Sequence, residues 1–413
     1  MTPIWGTFGG ASARGFGRGF IPATGASPNK LYAWGYGGNG VLGTGNTTSY
    51  SSPVQVGSTD NYANVVGRLY STYALKTNGT LWSWGYNNNG QLGQNNTTSY
   101  SSPVQVGTLT TWSKLATGTG SGNSYYYGAI KTDGTLWMWG ANGLGNLGTS
   151  NTTSYSSPVQ VGADTNWSKV SIGYYHTVAI KTDGTLWVWG YNGYGQLGTG
   201  NVSYYSSPVQ VGAGTNWSDV VAGTWHTVAT KTDGTVWAWG RNQEGQLGYN
   251  TSYYYSCFIC TSSSGYPNYT CYGGYWGSCL GIANKSSPVQ VGSNTNWKNV
   301  FAGEYSTWAT TTTNALWAWG WNAVGALGLN NTTSYSSPVQ VGTLTNWSTG
   351  QGRSYGAAFI KTDGSLWVWG YNGYGQLGQN NLTDKSSPVQ VGAGTNWISI
   401  GAAEYSTLGI TSS

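Results

Sequence analysis

Charge is what this chain has least of. Acidic and basic residues make up 7% of its 413 positions, against roughly a quarter in ordinary soluble domains. The 16 Lys and Arg and 11 Asp and Glu leave a net charge of +5, scattered without a basic run. Lacking a basic stripe that would displace counterions, the chain is a poor candidate for binding nucleic acid. Long apolar runs are missing too, since no stretch approaches the roughly 18 residues of a membrane span. The amino terminus, MTPIWGTFGGASARGFGRGF, has no compact hydrophobic region behind a basic start, so no standard signal peptide is visible. If the protein works outside a cell, it leaves by another route, such as release with a virus particle.

Groups that do chemistry are equally sparse. The two histidines, His176 and His226, sit at the same place in GYYHTVAIK and GTWHTVATK. Repeat-equivalent residues in separate units do not converge on a metal or substrate, which leaves them a structural role. Asp133, Asp183, Asp233 and Asp363 all belong to KTDG turns, where an Asp bonds its own backbone. Glu304 and Glu404 share a repeat position, with no neighbouring acids to make a pair with each. No nucleophile triad or phosphate-binding loop stands out, so a non-enzymatic protein without a cofactor or metal is expected.

What is abundant is Gly (67), Tyr (32) and Trp (24), arranged in a repeat. Trp34, Trp84, Trp139, Trp189, Trp239, Trp319 and Trp369 each precede a Gly, at spacings of 50, 55, 50, 50, 80 and 50 residues. A fixed period of this size marks a stacked or circular array of one supersecondary unit. In the fourth unit the expected strands are 167–172, 177–181, 185–189 and 208–211, with Thr182-Asp183-Gly184 as the hairpin turn between the second and third. Leu186-Trp187-Val188-Trp189 is apolar on both alternating sets, as a strand covered on both faces would be. Leu197 folds back into the core, and Pro208 opens the last strand where a missing N–H costs least.

Seven such units predict an all-β, seven-bladed propeller of four-stranded antiparallel blades. The repeat opens at Lys30 with a third strand and ends, from Asn396 to Thr411, with the first two. Pairing these half-blades closes the ring. The recurring L-W-x-W-G, G-x-L-G, P-x-x-V and G-x-x-H-T segments resemble the regulator-of-chromosome-condensation repeat over Leu31 to Thr411. That resemblance implies the family's seven-bladed propeller with an interlocked first and last blade. Its members include guanine-nucleotide exchange factors, chromatin binders and plain interaction modules, so fold alone does not fix function.

Three features depart from the repeat or are displayed by it. Residues 1–29 form a Gly-rich arm or linker outside the 30–413 propeller, and Trp5, Phe8, Phe16 and Phe20 could anchor it on a protein partner or another copy of the chain. Its GGASARGFG stretch resembles leaders of tail and fibre proteins of bacterial viruses. An uncharged insertion at about 250–285 holds Cys257, Cys260, Cys271 and Cys279. Two disulfides, a four-thiolate zinc site and free thiols are all compatible with that spacing. Tyr272, Tyr275 and Trp276 make its tip a candidate contact surface. Tyr50, Tyr100, Tyr155, Tyr205 and Tyr335 precede the SSPVQV segments, with Lys285 and Lys385 at the matching places. These tyrosines either stack on a ligand, such as a surface glycan, or pack between loops.

The expectation from these features is a structural or interaction protein, a virion or cell-surface component that displays loops for attachment or assembly and acts in an extracellular or virion-associated setting. A glycan-binding adhesin is a narrower form of it. The alternative is an exchange factor or chromatin-binding module like the family's named members. Such proteins would need an acidic wedge or a basic tail, whereas the insertion here is uncharged and the leader carries only Arg14 and Arg18.

Overall fold

The computed structural model describes residues 28–58, 61–118, 125–249, 254–258, 276–280 and 284–412, the two five-residue stretches as backbone only. The leader aromatics Trp5, Phe8, Phe16 and Phe20 lie outside the described residues, as do Cys260, Cys271, Tyr272 and Tyr275.

Each blade follows from the chemistry of one hairpin. In the fourth unit, Gly184 takes φ 78°, and the Asp183 carboxylate accepts from the Thr185 amide at 3.0 Å and the Thr185 hydroxyl at 2.7 Å. Thr185 Oγ1 in turn accepts from Trp187 Nε1 at 2.8 Å, and Lys181 Nζ lies 3.9 Å from the centre of that indole. The polar residues of KTDGTLW are thus engaged in locking the second strand to the third. These hydrogen bonds, that from the Thr185 side chain first, hold the Asp183 carboxyl below its ordinary range.

Four strands result, Trp167–Ile172, His176–Lys181, Leu186–Gly190 and Tyr205–Gln210, paired antiparallel in chain order. The outer strand begins at Tyr205, three residues earlier than its Pro208 suggests. An irregularity between Val188 and Gly190 brings Tyr205 opposite Gly190, so pairing extends past the proline. Seven such sheets are present among the described residues. The closing one has the order Tyr50–Val56, Lys30–Gly35, Ser406–Thr411, Trp397–Ala402, with Leu31 opposite Ile410.

The seven Trp-Gly tryptophans are fully buried between blades. Trp189 Nε1 donates to Asn146 O of the preceding blade at 2.9 Å, and the other six make the equivalent bond at 2.8–3.0 Å. The last glycine of each G-x-L-G loop meets that ring. Gly148, at φ 74°, would place an added Cβ 2.7 Å from Trp189 Nε1. Leu197 is fully buried behind the loop.

The insertion leaves the fifth blade intact and adds a separate two-stranded sheet, Tyr254–Phe258 with Trp276–Leu280, pairing Tyr255 with Cys279 and Cys257 with Gly277. No helix of the described residues is long and apolar enough to cross a membrane.

Candidate functional site

The inner strands surround a central channel, which holds a cavity of about 340 Å³ lined by residues such as Val66, Val221, Phe301, Gln351 and Ile400. Gln351 spans it, donating to Gly118 O at 3.3 Å and accepting from the Ala402 amide at 2.8 Å. One end of the channel is ringed by the KTDG hairpins. At the other end the turns between first and second strands meet the loops between third and outer strands.

This second face has a regular construction. Each first turn ends in an aromatic residue, giving Tyr70, Tyr125, Tyr175, Trp225, Tyr305, Tyr355 and Tyr405 around the ring. The carbonyl of each accepts from the amide that follows a Trp-Gly pair, for example Tyr191 N to Tyr175 O at 2.9 Å and Tyr86 N to Tyr70 O at 2.7 Å. That clamp sets a second side chain beside the first: Tyr36, Tyr86, Ala141, Tyr191, Arg241, Trp321 and Tyr371.

Ring contacts then run from blade to blade. Trp321 lies 6.3 Å from Tyr305 and 5.6 Å from Tyr355, Tyr371 lies 6.2 Å from Tyr355, and Tyr374 joins Tyr371 to Tyr405 and Tyr36. Tyr70, Tyr86 and Tyr125 continue the belt, and Tyr174, Tyr191 and Tyr194 gather around Trp225. All these rings are half-buried, so each presents an edge or face to whatever approaches. Sequence reasoning missed this belt. Its signal was available, because the residue before His176 and before each of its repeat equivalents is aromatic in all seven units.

Glu304 and Glu404, which share a repeat position, stand in the first turns immediately before the belt residues Tyr305 and Tyr405. Burial, with a further push from Glu404, raises the Glu304 carboxyl to about 7. His176 and His226 lie deeper and hold blades together. Thr227 donates its hydroxyl proton to Gln196 O at 2.8 Å, so in the 3.2 Å contact His176 Nε2 must be the donor. Thr307 and Gln246 impose the same tautomer on His226. Burial drops both imidazoles to about 3. Where Gly356 replaces the histidine, Arg353 reaches the Gln376 oxygen that Trp34 and Thr407 also use.

These shifts have opposite signs. Between pH 3 and 6.5 the unfolded chain takes up histidine protons that the folded one refuses, so both histidines remove stability as pH falls through that window. Between pH 4.5 and 7 the folded chain keeps a Glu304 proton that the unfolded chain has lost, so Glu304 removes stability as pH rises. Glu304→Gln is therefore expected to raise the melting temperature above pH 7 by a few degrees and to leave it unchanged below pH 4.5. Melting curves across pH check this, and an unchanged difference at all pH values would contradict it.

The tyrosines singled out from sequence are elsewhere, on the circumference. Tyr50, Tyr100, Tyr155, Tyr205 and Tyr335 are half-buried and pack against the blade cores. The hydroxyl of each is met by an Asn four residues earlier, from Asn96 to Tyr100 at 3.0 Å to Asn46 to Tyr50 at 3.3 Å. Lys285 lies over Tyr249 at 5.5 Å. Cys257, Trp276 and Cys279 are placed on the two insertion strands by backbone alone.

The same architecture recurs in known proteins. The RCC1-like domain family model matches residues 121–413, and that of the regulator of chromosome condensation (RCC1) repeat matches 29–67 and 78–121. Curated proteins give no match. Among solved structures, yeast RCC1 (Prp20) bound to Kap60 is similar at 17% identity, covering 97% of this chain and 96% of that chain with a TM-score of 0.74. Prp20p from Saccharomyces cerevisiae, described with its binding to Gsp1p and histones, is similar at 17% identity, covering 93% and 92% with a TM-score of 0.74. Human WBSCR16 is similar at 17% identity, covering 93% and 99% with a TM-score of 0.75. At this identity the likeness concerns the fold.

Two expectations are corrected by these matches. The reading as a virion or cell-surface component, and the extracellular or virion-associated setting that went with it, give way to the alternative, because the matching family models are those of RCC1 and the similar propellers are yeast Prp20, described with Kap60, Gsp1p and histones, and human WBSCR16. The abundant aromatic residues and several of the scarce cations have structural roles in the described residues. Tryptophans fill the seams between blades, and five lysines stack on indoles, as Lys131 does on Trp137 at 3.6 Å. With a family model spanning well over half of it, this chain belongs to the RCC1-like domain family.

Proposed function

We propose that this chain is a protein-binding propeller of the exchange-factor and chromatin-binding kind, acting inside cells, and that its contact face is the belt of rings around the channel mouth. The belt is the observation that carries the reading. Tyr and Trp are enriched at protein interfaces, where they supply large, rigid contact area and dominate the binding energy. Their rings here are held by backbone clamps and by one another, so little side-chain freedom is lost when a partner docks. The similar yeast propellers point to the partners to try first, Gsp1p, histones and Kap60.

Two assays test it with the full chain: release of a fluorescent GDP analogue from Gsp1p, and equilibrium binding to histones. At least one is expected to be positive, and the Tyr355→Ala, Tyr371→Ala double variant, with its blade otherwise intact, should weaken it about ten-fold or more. Absence of both activities, or a double variant as active as the parent, would sink the proposal.

A further inference from the structure

On the circumference, one seam lacks a charge that the neighbouring seam supplies. In the fourth blade Lys181 Nζ lies 3.9 Å from the centre of Trp187 and 4.9 Å from that of Trp167. Asp164, in the linker that enters this blade, accepts from it at 2.9 Å. In the fifth blade Lys231 Nζ holds the same pose, 4.0 Å from Trp237 and 4.8 Å from Trp217. The place of Asp164 is taken by Gly214. Among the described residues, Lys231 Nζ has neither an ion pair nor a hydrogen bond.

Burial differs accordingly. The linker position holds Leu109, Asp164 and Leu344 ahead of Lys131, Lys181 and Lys361, and those three lysines are buried, whereas Lys231 is half-buried. Lys131 and Lys361 also go without an ion pair, but they are closed off from solvent. Lys231 faces a cavity of about 500 Å³ between the fourth and fifth blades, lined by Tyr205, Gln210, Gly214, Trp217 and Trp237 among others. Trp217 is 6% exposed, and its Nε1–H, 3.6 Å from where a Cβ at position 214 would stand, has no acceptor. That N–H is also unpartnered in Trp112, Trp167, Trp297 and Trp347. What sets this seam apart is therefore an unpaired ammonium left accessible to a cavity. The outer strand of the fifth blade, Lys285–Gln290, pairs Lys285 with Gly240 and Gln290 with Trp237, so the lysine stands at the strand end away from the insertion.

An ammonium resting on two indoles has its free donors on the side away from the rings, and a carboxylate brought to that side gains a charge-assisted hydrogen bond. The indole and phenol walls suit the apolar stem that carries such a carboxylate. Asp164 and Lys181 make this pair one blade earlier, within the chain itself.

We infer that the seam between the fourth and fifth blades binds an Asp or Glu side chain of a docked protein, whose carboxylate takes the place beside Lys231 that Asp164 takes beside Lys181. The inference rests on the protein-binding reading above for the source of the carboxylate, while the seam can be tested with a peptide. The probe is the blocked tripeptide Gly-Glu-Gly, with Gly-Gln-Gly and sodium acetate as comparisons, titrated into the full chain at low salt by saturation-transfer NMR.

The glutamate peptide is expected to bind in the millimolar range, about five-fold more tightly than the glutamine peptide, and to lose that preference near about 0.5 M salt. Gly214→Asp supplies the carboxylate from the chain. Its Cβ would meet Asn216 Oδ1 at 3.5 Å and Trp217 Nε1 at 3.6 Å, both ordinary contacts, so this variant should melt no lower than the parent while losing the preference. Lys231→Gln should lose it too, whereas Lys181→Gln, in the seam that is already paired, should keep it. Equal binding of the two peptides, acetate binding as tightly as the glutamate peptide, or a Gly214→Asp variant that keeps the preference would each overturn the inference. Should the peptide preference be absent while histones or Gsp1p still bind, the seam site is wrong and the protein-binding reading stands. Should Gly214→Asp and Lys231→Gln remove a preference seen in the parent while neither protein binds, the seam site stands and the protein-binding reading is wrong.

Discussion

Replacing Trp189 by alanine is expected to destabilise the propeller by about 3–5 kcal/mol, the range for deleting a large aromatic from a rigid core. Trp189 is fully buried, packs 5.9 Å from Trp167 and carries one of the bonds that cross from blade to blade. Its neighbourhood resists collapse, because Gly148 already presses on the ring and Thr177 holds the same Asn146 oxygen at 2.8 Å. A cavity therefore persists along a seam. Trp187, two residues earlier, supplies the control. It is half-buried on the outer side, and Trp187→Ala removes the Thr185 bond and the Lys181 stack, a loss of about 1–2 kcal/mol. Urea unfolding of the two variants decides the matter: equal midpoints would contradict the assignment of Trp189 to the inter-blade seam.

The larger effect is expected from opening the ring. Deleting residues 397–413 removes both inner strands of the closing blade and leaves Lys30–Gly35 with an unpaired edge along the whole register from Lys30 to Gly35. Leu31 and Ala33, both buried in the closed ring, lose their cover. The Gln376 oxygen keeps Trp34 but loses Thr407. An open edge beside exposed apolar side chains invites pairing with other chains. Loss of the cooperative thermal transition, with aggregation on purification, is the expected outcome. A truncated chain that melts as the full chain does would show that closure contributes nothing to stability.

Much of this architecture was legible because the repeat writes it seven times in local chemistry. The Thr-Asp-Gly turn, the Trp-Gly pair and the G-x-L-G loop each specify a backbone event through residues only a few positions apart. Where local chemistry was silent, the reading was less complete. Proline at 208 marked the outer strand three residues late, because its true start depends on a bulge in the facing strand. By sequence the tyrosines before SSPVQV stay open between a ligand-stacking face and packing between loops, and in the structure an Asn four residues earlier meets each hydroxyl. The high aromatic content has a place in the fold, because seven of the tryptophans fill the seams between blades.

The sequence by itself determined that the chain makes seven antiparallel blades and joins its two ends in one of them, since strand period and turn chemistry act over a few residues and each unit repeats them. Only the tertiary structure decided which aromatic residues go to the seams, which to the circumference and which to the channel mouth. Tyr36 meets Tyr374, and Arg241 meets Tyr305, because closing a ring brings together turns that lie far apart in the chain.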